Sequence, residues 1–188
     1  MMKNYQRRHL RAPFKESILY ADGPHVLKAK ALNISEGGLL LSELPSIPND
    51  NEIGILISLP QLPNLKNFGL LKMQTFSKEL FGKRVIRVRG RLVRRDELAQ
   101  SLDNIFHTRF GLEFSLLGKE EQKFIEEYIS TFSSNIIFLQ TLIDSFNTDE
   151  ETKIRTRALA KILGYDHTEK ISQLRSLVTH DYKSLQWL

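Results

Sequence analysis

From Phe14 to about Phe114 the apolar residues come in short runs that alternate with polar ones. "ESILYA" leads through the Gly-Pro turn of "ADGPH" into "VLKAKALN", where Leu27, Ala29 and Ala31 alternate with Lys28 and Lys30. "GGLLLS" and "IGILISLP" are compact apolar runs bounded by Gly, Pro, Asn and Asp. "VIRVRGRLVRR" sets Ile86, Val88, Gly90 and Leu92 on one face and Arg87, Arg89 and Arg91 on the other. "HTRFGLEFS" repeats the period, bringing Phe110, Leu112 and Phe114 together. Short strands at this spacing, with no helices between them, predict an antiparallel barrel or sandwich. Residues 96–106 read as a connecting loop or a short helical turn.

After Gly118 the period changes. "KEEQKFIEEYISTFSSNIIFLQTLIDSF" places Phe124, Ile125, Tyr128, Ile129 and Phe132 on a helical stripe. Ser133, Ser134 and Asn135 either break that helix or let it run on to Phe146. Thr148 and Glu151 form a T-x-x-E capping box for a further helix, which Gly164 closes. "TEKISQLRSLVTHDYKSLQWL" predicts another helix, with Ile171, Leu174, Leu177 and Val178 on its apolar side. The expected organisation is a basic arm over residues 1–13, a β-barrel with its following helix over 14–132, and a helical extension over 133–188. The stripe from Ile136 to Phe146 is read as packing, on the barrel or in a homodimer, rather than as a cofactor pocket.

Composition narrows the class. The chain has 188 residues, 41% of them hydrophobic, enough for a buried core. It has no cysteine, which removes disulfides and thiolate metal sites and suits a reducing compartment, hence the cytoplasm. No apolar run approaches the roughly 18 residues of a membrane span, and no apolar stretch follows the N-terminal basic residues as in a secretory signal. The net charge of +5 is unevenly placed. Residues 1–30 carry seven Lys/Arg against two acids, and "KRVIRVRGRLVRR" (83–95) carries seven and no acid, so the remainder is net acidic. Such clustering predicts a local anion site, with nucleic acid, a nucleotide or an acidic lipid surface as candidate occupants.

Two stretches carry chemistry suited to such a site. "YQRRHLRAPF" puts Arg7, Arg8 and Arg11 on the arm, ahead of the first acid, Glu16. After one hairpin's worth of strand, "ALNISEGGLLLS" supplies Asn33, Ser35 and Gly38 in an N-x-S-x-x-G pattern, with Gly37 beside them. An Asn amide offers both an acceptor and donors for a base edge, Ser adds a short hydroxyl, and paired glycines allow a tight turn close to a ligand. Guanine, with donors at N1 and N2 and acceptors at O6 and N7, matches this set. Arg suits its O6/N7 edge, a phosphate or a stacked ring.

"RRHLR" followed by "NISEGG" resembles the two signature motifs of the PilZ domain, R-x-x-x-R and [D/N]-x-S-x-x-G, in the family's order and at about its spacing. "GRLVRR" and "RFGLEF" resemble its closing strands, and "KEEQKFIEEYI" the helix after them; the resemblance covers about residues 5–132. It implies a six-stranded antiparallel barrel that binds the bacterial second messenger cyclic di-GMP. By the same resemblance Arg7 and Arg11 are the motif arginines, Arg8 gives the doubled form, and Asn33, Ser35 and Gly38 occupy the second motif. Asn33 stands where Asp is frequent, keeping an acceptor but losing a charge. Gln6 sits where the family's residue bears on binding one ligand or an intercalated pair, and Gln resembles the pair-binding kind. No cofactor is implied beyond the ligand. The output passes to a downstream protein partner, since no catalytic segment is attached.

Other classes fit less well. Nucleic acid, bound along a basic groove, calls for exposed aromatics on which bases stack; the chain has eleven Phe and five Tyr, but most fall in core-like positions. A PilZ fold acting only as a protein adaptor is the principal alternative. An enzyme is not expected: paired carboxylates, a triad and a phosphate loop are all missing, and Ser35 has no evident base. The five histidines show no metal-ligand spacing. The arginines at 87–91 are read as an outward strand face.

Overall fold

A computed structural model describes residues 9–45, 48–96, 109–146, 149–165, 168 and 170–185. The described chain divides into two compact units. One comprises His9–Pro60 and Lys83–Ile129; the other comprises Gln61–Gly82 and the residues from Ser130 onward.

The first unit is a closed antiparallel barrel with an added strand. Its strands are β1 (Arg11–Pro13), β2 (Ser17–Asp22), β3 (His25–Ser35), β4 (Gly38–Ser42), β5 (Glu52–Pro60), β6 (Lys83–Asp96) and β7 (Arg109–Leu116). The sheet runs β3-β2-β5-β6-β7-β4, and β4 pairs back onto β3 to close a six-stranded ring. β3 achieves this by its length: residues 25–30 pair with β2 and residues 30–35 with β4. β1 is the extra strand, beside residues 33–35 of β3. Pro13 can sit in it because β1 pairs with β3 alone and so leaves one edge without a ladder.

Period-2 alternation fills the barrel as the sequence predicts. Ile53, Ile55, Ile57 and Leu59 of β5 are buried, as are Ile86, Val88 and Gly90 of β6, while Arg87, Arg89 and Arg91 face outward. Two features differ from expectation. The region is not free of helices: between β5 and β6 the chain makes a 3₁₀ turn at Leu65–Asn67, a helix α1 (Leu70–Thr75) and a second 3₁₀ turn at Lys78–Leu80. The second difference is in β3, where the register shifts between Ala31 and Asn33. Leu32 is the extra residue of a β-bulge. Ahead of it Ala29 and Ala31 face the core; beyond it Ile34 does.

The helix after the barrel, α2 (Lys119–Asp144), is continuous, so Ser133–Asn135 do not break it. Its first turns belong to the barrel unit. There the Tyr128 ring meets Phe14 edge-on at 5.6 Å, and its hydroxyl donates to the Pro13 carbonyl at 2.8 Å. Burial, with a smaller contribution from the Glu16 carboxylate, pushes the Tyr128 phenol well above its usual pKa. It therefore stays a neutral donor. Arg84 of β6 lies over the Phe124 ring at 3.8 Å from its centroid.

The second unit contains α1, the rest of α2, α3 (Glu150–Ile162) and α4 (Ile171–Ser184). Asn135 ties the β5–β6 excursion to α2: its side chain accepts from the Leu65 N–H at 2.9 Å and donates to the Pro63 carbonyl at 3.0 Å while fully buried. The cap of α3 is Asp149, whose carboxylate accepts from the Thr152 N–H at 2.7 Å, so the helix starts one residue later than a cap at Thr148 requires. Thr148 lies outside the described residues. Gly164 closes α3 with φ +87°, as expected. On α4, Leu174 and Val178 are buried but Leu177 is 45% exposed, off the packed stripe. Among the described residues no helix is long and apolar enough to cross a membrane.

Candidate functional site

The bulge at Leu32 decides where the second motif points. Without it, Asn33 and Ser35 would continue the inward phase of Ala29 and Ala31. With it, Ile34 turns inward and Asn33 and Ser35 share the outer face. Ser35 and Gly38 are directly paired, so Glu36 and Gly37 form a two-residue hairpin turn. The Ser35 hydroxyl donates to the Gly38 carbonyl at 3.2 Å and holds that turn closed.

The two glycines are required for clearance rather than for backbone conformation, since neither lies in the left-handed region. A Cβ on Gly38 would run into the Leu112 carbonyl oxygen of β7. A Cβ on Gly37 would come to 2.9 Å from Cδ2 of His9.

That second contact joins the two motifs. In the β1–β3 ladder Arg11 lies across from Ser35, Ala12 from Ile34 and Pro13 from Asn33. Ala12 and Ile34 are both fully buried, so Arg11 and Pro13 lie on the outer side with Ser35 and Asn33. Two residues before Arg11, the His9 ring lies over Gly37, and its Nδ1 is 3.3 Å from the Glu36 carboxylate.

One outward row crosses five strands at this level: Arg11, Ser35, Gly38, Glu113 and Arg91. Arg91 and Glu113 are joined at 2.9 Å. The half-buried Asn33 has no hydrogen-bond partner for its amide among the described residues, which leaves both ends of that group available.

Of the residues singled out in the sequence, Arg11, Asn33, Ser35, Gly37 and Gly38 therefore come together. Gln6, Arg7 and Arg8 lie outside the described residues. Arg11, expected on an arm, is instead the first residue of β1. His9 and Glu36 were passed over because both motifs leave their positions unspecified; their place inside the motifs was the available signal. Among the described residues no group of three or more His, Asp or Glu side chains is placed to hold a metal ion. A cavity of about 300 Å³ in the helical unit, lined in part by Arg157, Lys161, Tyr165 and Leu174, uses none of these residues.

The chemistry on offer is anion and base recognition: a guanidinium, a primary amide and a hydroxyl on one face, around a turn that close packing restricts to glycine. Comparison with known proteins bears on what that chemistry serves. The family model for the PilZ domain matches residues 5–131. No curated protein matches the sequence. Among solved structures, the Bacillus subtilis inhibitor of motility (MotI/DgrA) is similar at 14% identity and TM-score 0.47, over 65% of this chain and 48% of that one. YcgR from Escherichia coli, solved in complex with c-di-GMP, is similar at 14% identity and TM-score 0.40, over 66% of this chain and 45% of that one. The PilZ domain of YcgR with c-di-GMP gives 15% identity and TM-score 0.35, over 66% of this chain and 90% of that domain. The present chain thus matches about half the length of the first two.

Proposed function

The chain belongs to the PilZ domain family, and from that premise we propose that it is a receptor for cyclic di-GMP that changes conformation on binding and signals through a protein partner. The observation that carries this reading is the β1–β3 ladder, in which Arg11 of the first motif lies across from Ser35 of the second.

Each residue then has a task. Arg11 meets a phosphate oxygen or the O6/N7 edge of a guanine with its planar fork, and Arg7 and Arg8 add charge for the second phosphate. Asn33 pairs its free amide with a guanine edge. Ser35 retains acceptor capacity beyond the bond that closes the turn. Gly38 keeps the turn free of a side chain where the ligand approaches. The ligand is a dianion, so the arginines of the first motif meet its phosphates through charge-assisted bonds. The ligand-bound face presents a new surface to the partner.

Calorimetric titration of the purified protein with cyclic di-GMP, beside GMP and a short single-stranded DNA, tests this. Saturable binding of the cyclic dinucleotide alone is expected, and its stoichiometry reports whether one ligand or an intercalated pair is held. Absence of heat with any of the three would reject the receptor reading in favour of an adaptor.

A further inference from the structure

We infer that His9 and Glu36 form a clip that anchors the start of β1, and with it Arg11, to the N-x-S-x-x-G turn before any ligand arrives. This rests on the receptor reading for its functional consequence, though the clip itself is a property of the free protein.

The inference starts from register. Arg11 is across from Ser35 and Ala12 from Ile34; continuing the ladder brings His9 to Gly37, where its ring is found. The ring is held on two sides. Its Cδ2–Nε2 edge lies against Gly37, which has no Cβ to push it away, and Nδ1 on the other side meets Glu36 at 3.3 Å. This explains a glycine at a position where neither left-handed backbone nor strand packing demands one. Gly38 is forced by the Leu112 carbonyl, whereas Gly37 is matched to His9.

The clip lies just ahead of Arg11. His9 precedes Arg11 by two residues, so tying it to the turn fixes where Arg11 starts from. β1 has three residues and pairs with β3 alone, so without a further anchor its open end would fray. Pre-ordering that end lowers the entropy lost when the ligand closes the site. His9 and Glu36 are therefore positioning residues, acting through Arg11 rather than through reacting or ligand atoms. Their side chains remain 44% and 37% exposed, so the pair is a weak tie that solvent screens and binding can adjust.

The test has two readouts on the intact protein. Hydrogen exchange of the free protein should show faster exchange at residues 10–12 in His9→Ala, in Glu36→Ala and in Gly37→Ala, whose new methyl displaces the ring while leaving both partners. Titration with cyclic di-GMP should show each of the first two variants about two- to fivefold weaker, as for one exposed polar contact. The double variant should be no weaker than the worse single one, and the charge-swapped pair, His9→Glu with Glu36→Lys, should recover most of the loss. Unchanged exchange in all three single variants overturns the clip. Faster exchange with unchanged affinity, or additive losses in the double variant, overturns its positioning role. A wild-type protein that binds no cyclic di-GMP defeats the receptor reading and the positioning role with it, while exchange still decides whether the clip exists.

Discussion

Arg11 and Ser35 lie directly across from each other in the β1–β3 ladder, although 23 residues and a complete hairpin separate them in sequence. Two short motifs, the first of which recurs at Arg87/Arg91 and Arg91/Arg95, thereby meet on one face. The pairing depends on two local features. β3 is long enough to bond β2 and β4 in succession, and the bulge at Leu32 turns Asn33 and Ser35 outward.

On the proposed receptor reading the bulge serves binding, and deleting Leu32 should abolish it. The deletion forces a choice between facing Asn33 and Ser35 into the barrel and breaking the pairing of β3 with β4. Either outcome is visible as lost dispersion or large shift changes for residues 33–41 in an amide NMR spectrum. A spectrum and affinity like those of the wild type would refute the role given to the bulge.

Gly38→Ala should be destabilised by about 1–3 kcal/mol, because the new methyl meets a backbone carbonyl that cannot step aside. Denaturant unfolding measures this. Gly37→Ala meets only the side chain of His9 and should lose clearly less.

Tyr128→Phe keeps the edge contact with Phe14 but loses the bond to the Pro13 carbonyl, and should cost about 1 kcal/mol. The sign of its pH dependence follows from the raised phenol pKa. The folded protein holds this proton more tightly than the unfolded chain does. Its contribution is thus complete below the ordinary phenol pKa of about 10 and falls as pH rises beyond that value. Wild-type stability should fall more steeply than that of Tyr128→Phe above that pH, as measured by urea midpoints along an alkaline series. Parallel curves would contradict this.

Asn135→Ala should lose about 1–3 kcal/mol for each backbone group left unsatisfied, namely the Leu65 N–H and the Pro63 carbonyl. The residues most affected should be Gln61–Gly82, and faster amide exchange confined to that segment and its immediate contacts is the expected result.

Much of this was legible in the sequence where one physical rule acted alone. The alternation of Ile86, Val88 and Gly90 with Arg87, Arg89 and Arg91 required no tertiary information, because a strand with one buried face has no other consistent phase. The motif residues stood out as candidates, since Arg, Asn, Ser and Gly bring distinct chemistry, and the structure brings Arg11, Asn33, Ser35, Gly37 and Gly38 together. The bulge left a trace that went unused: Ala31 and Leu32 are adjacent apolar residues, marking the point where the period slips from Ala29 and Ala31 to Ile34. The excursion at Gln61–Gly82 was missed because α1 has only six residues, too few to show a helical period. Asn135 was ambiguous for a different reason. Asn in mid-helix reads as a breaker until the chain it caps, some 70 residues earlier, is known.

The most direct test of the central claim is calorimetric titration of wild type and Arg11→Ala with cyclic di-GMP under identical salt. The account predicts saturable binding by the wild type. Arg11→Ala should bind about ten- to a hundredfold more weakly, the loss of one charge-assisted contact. Equal affinity in the two proteins would contradict the assignment of Arg11 and Ser35 to one ligand site.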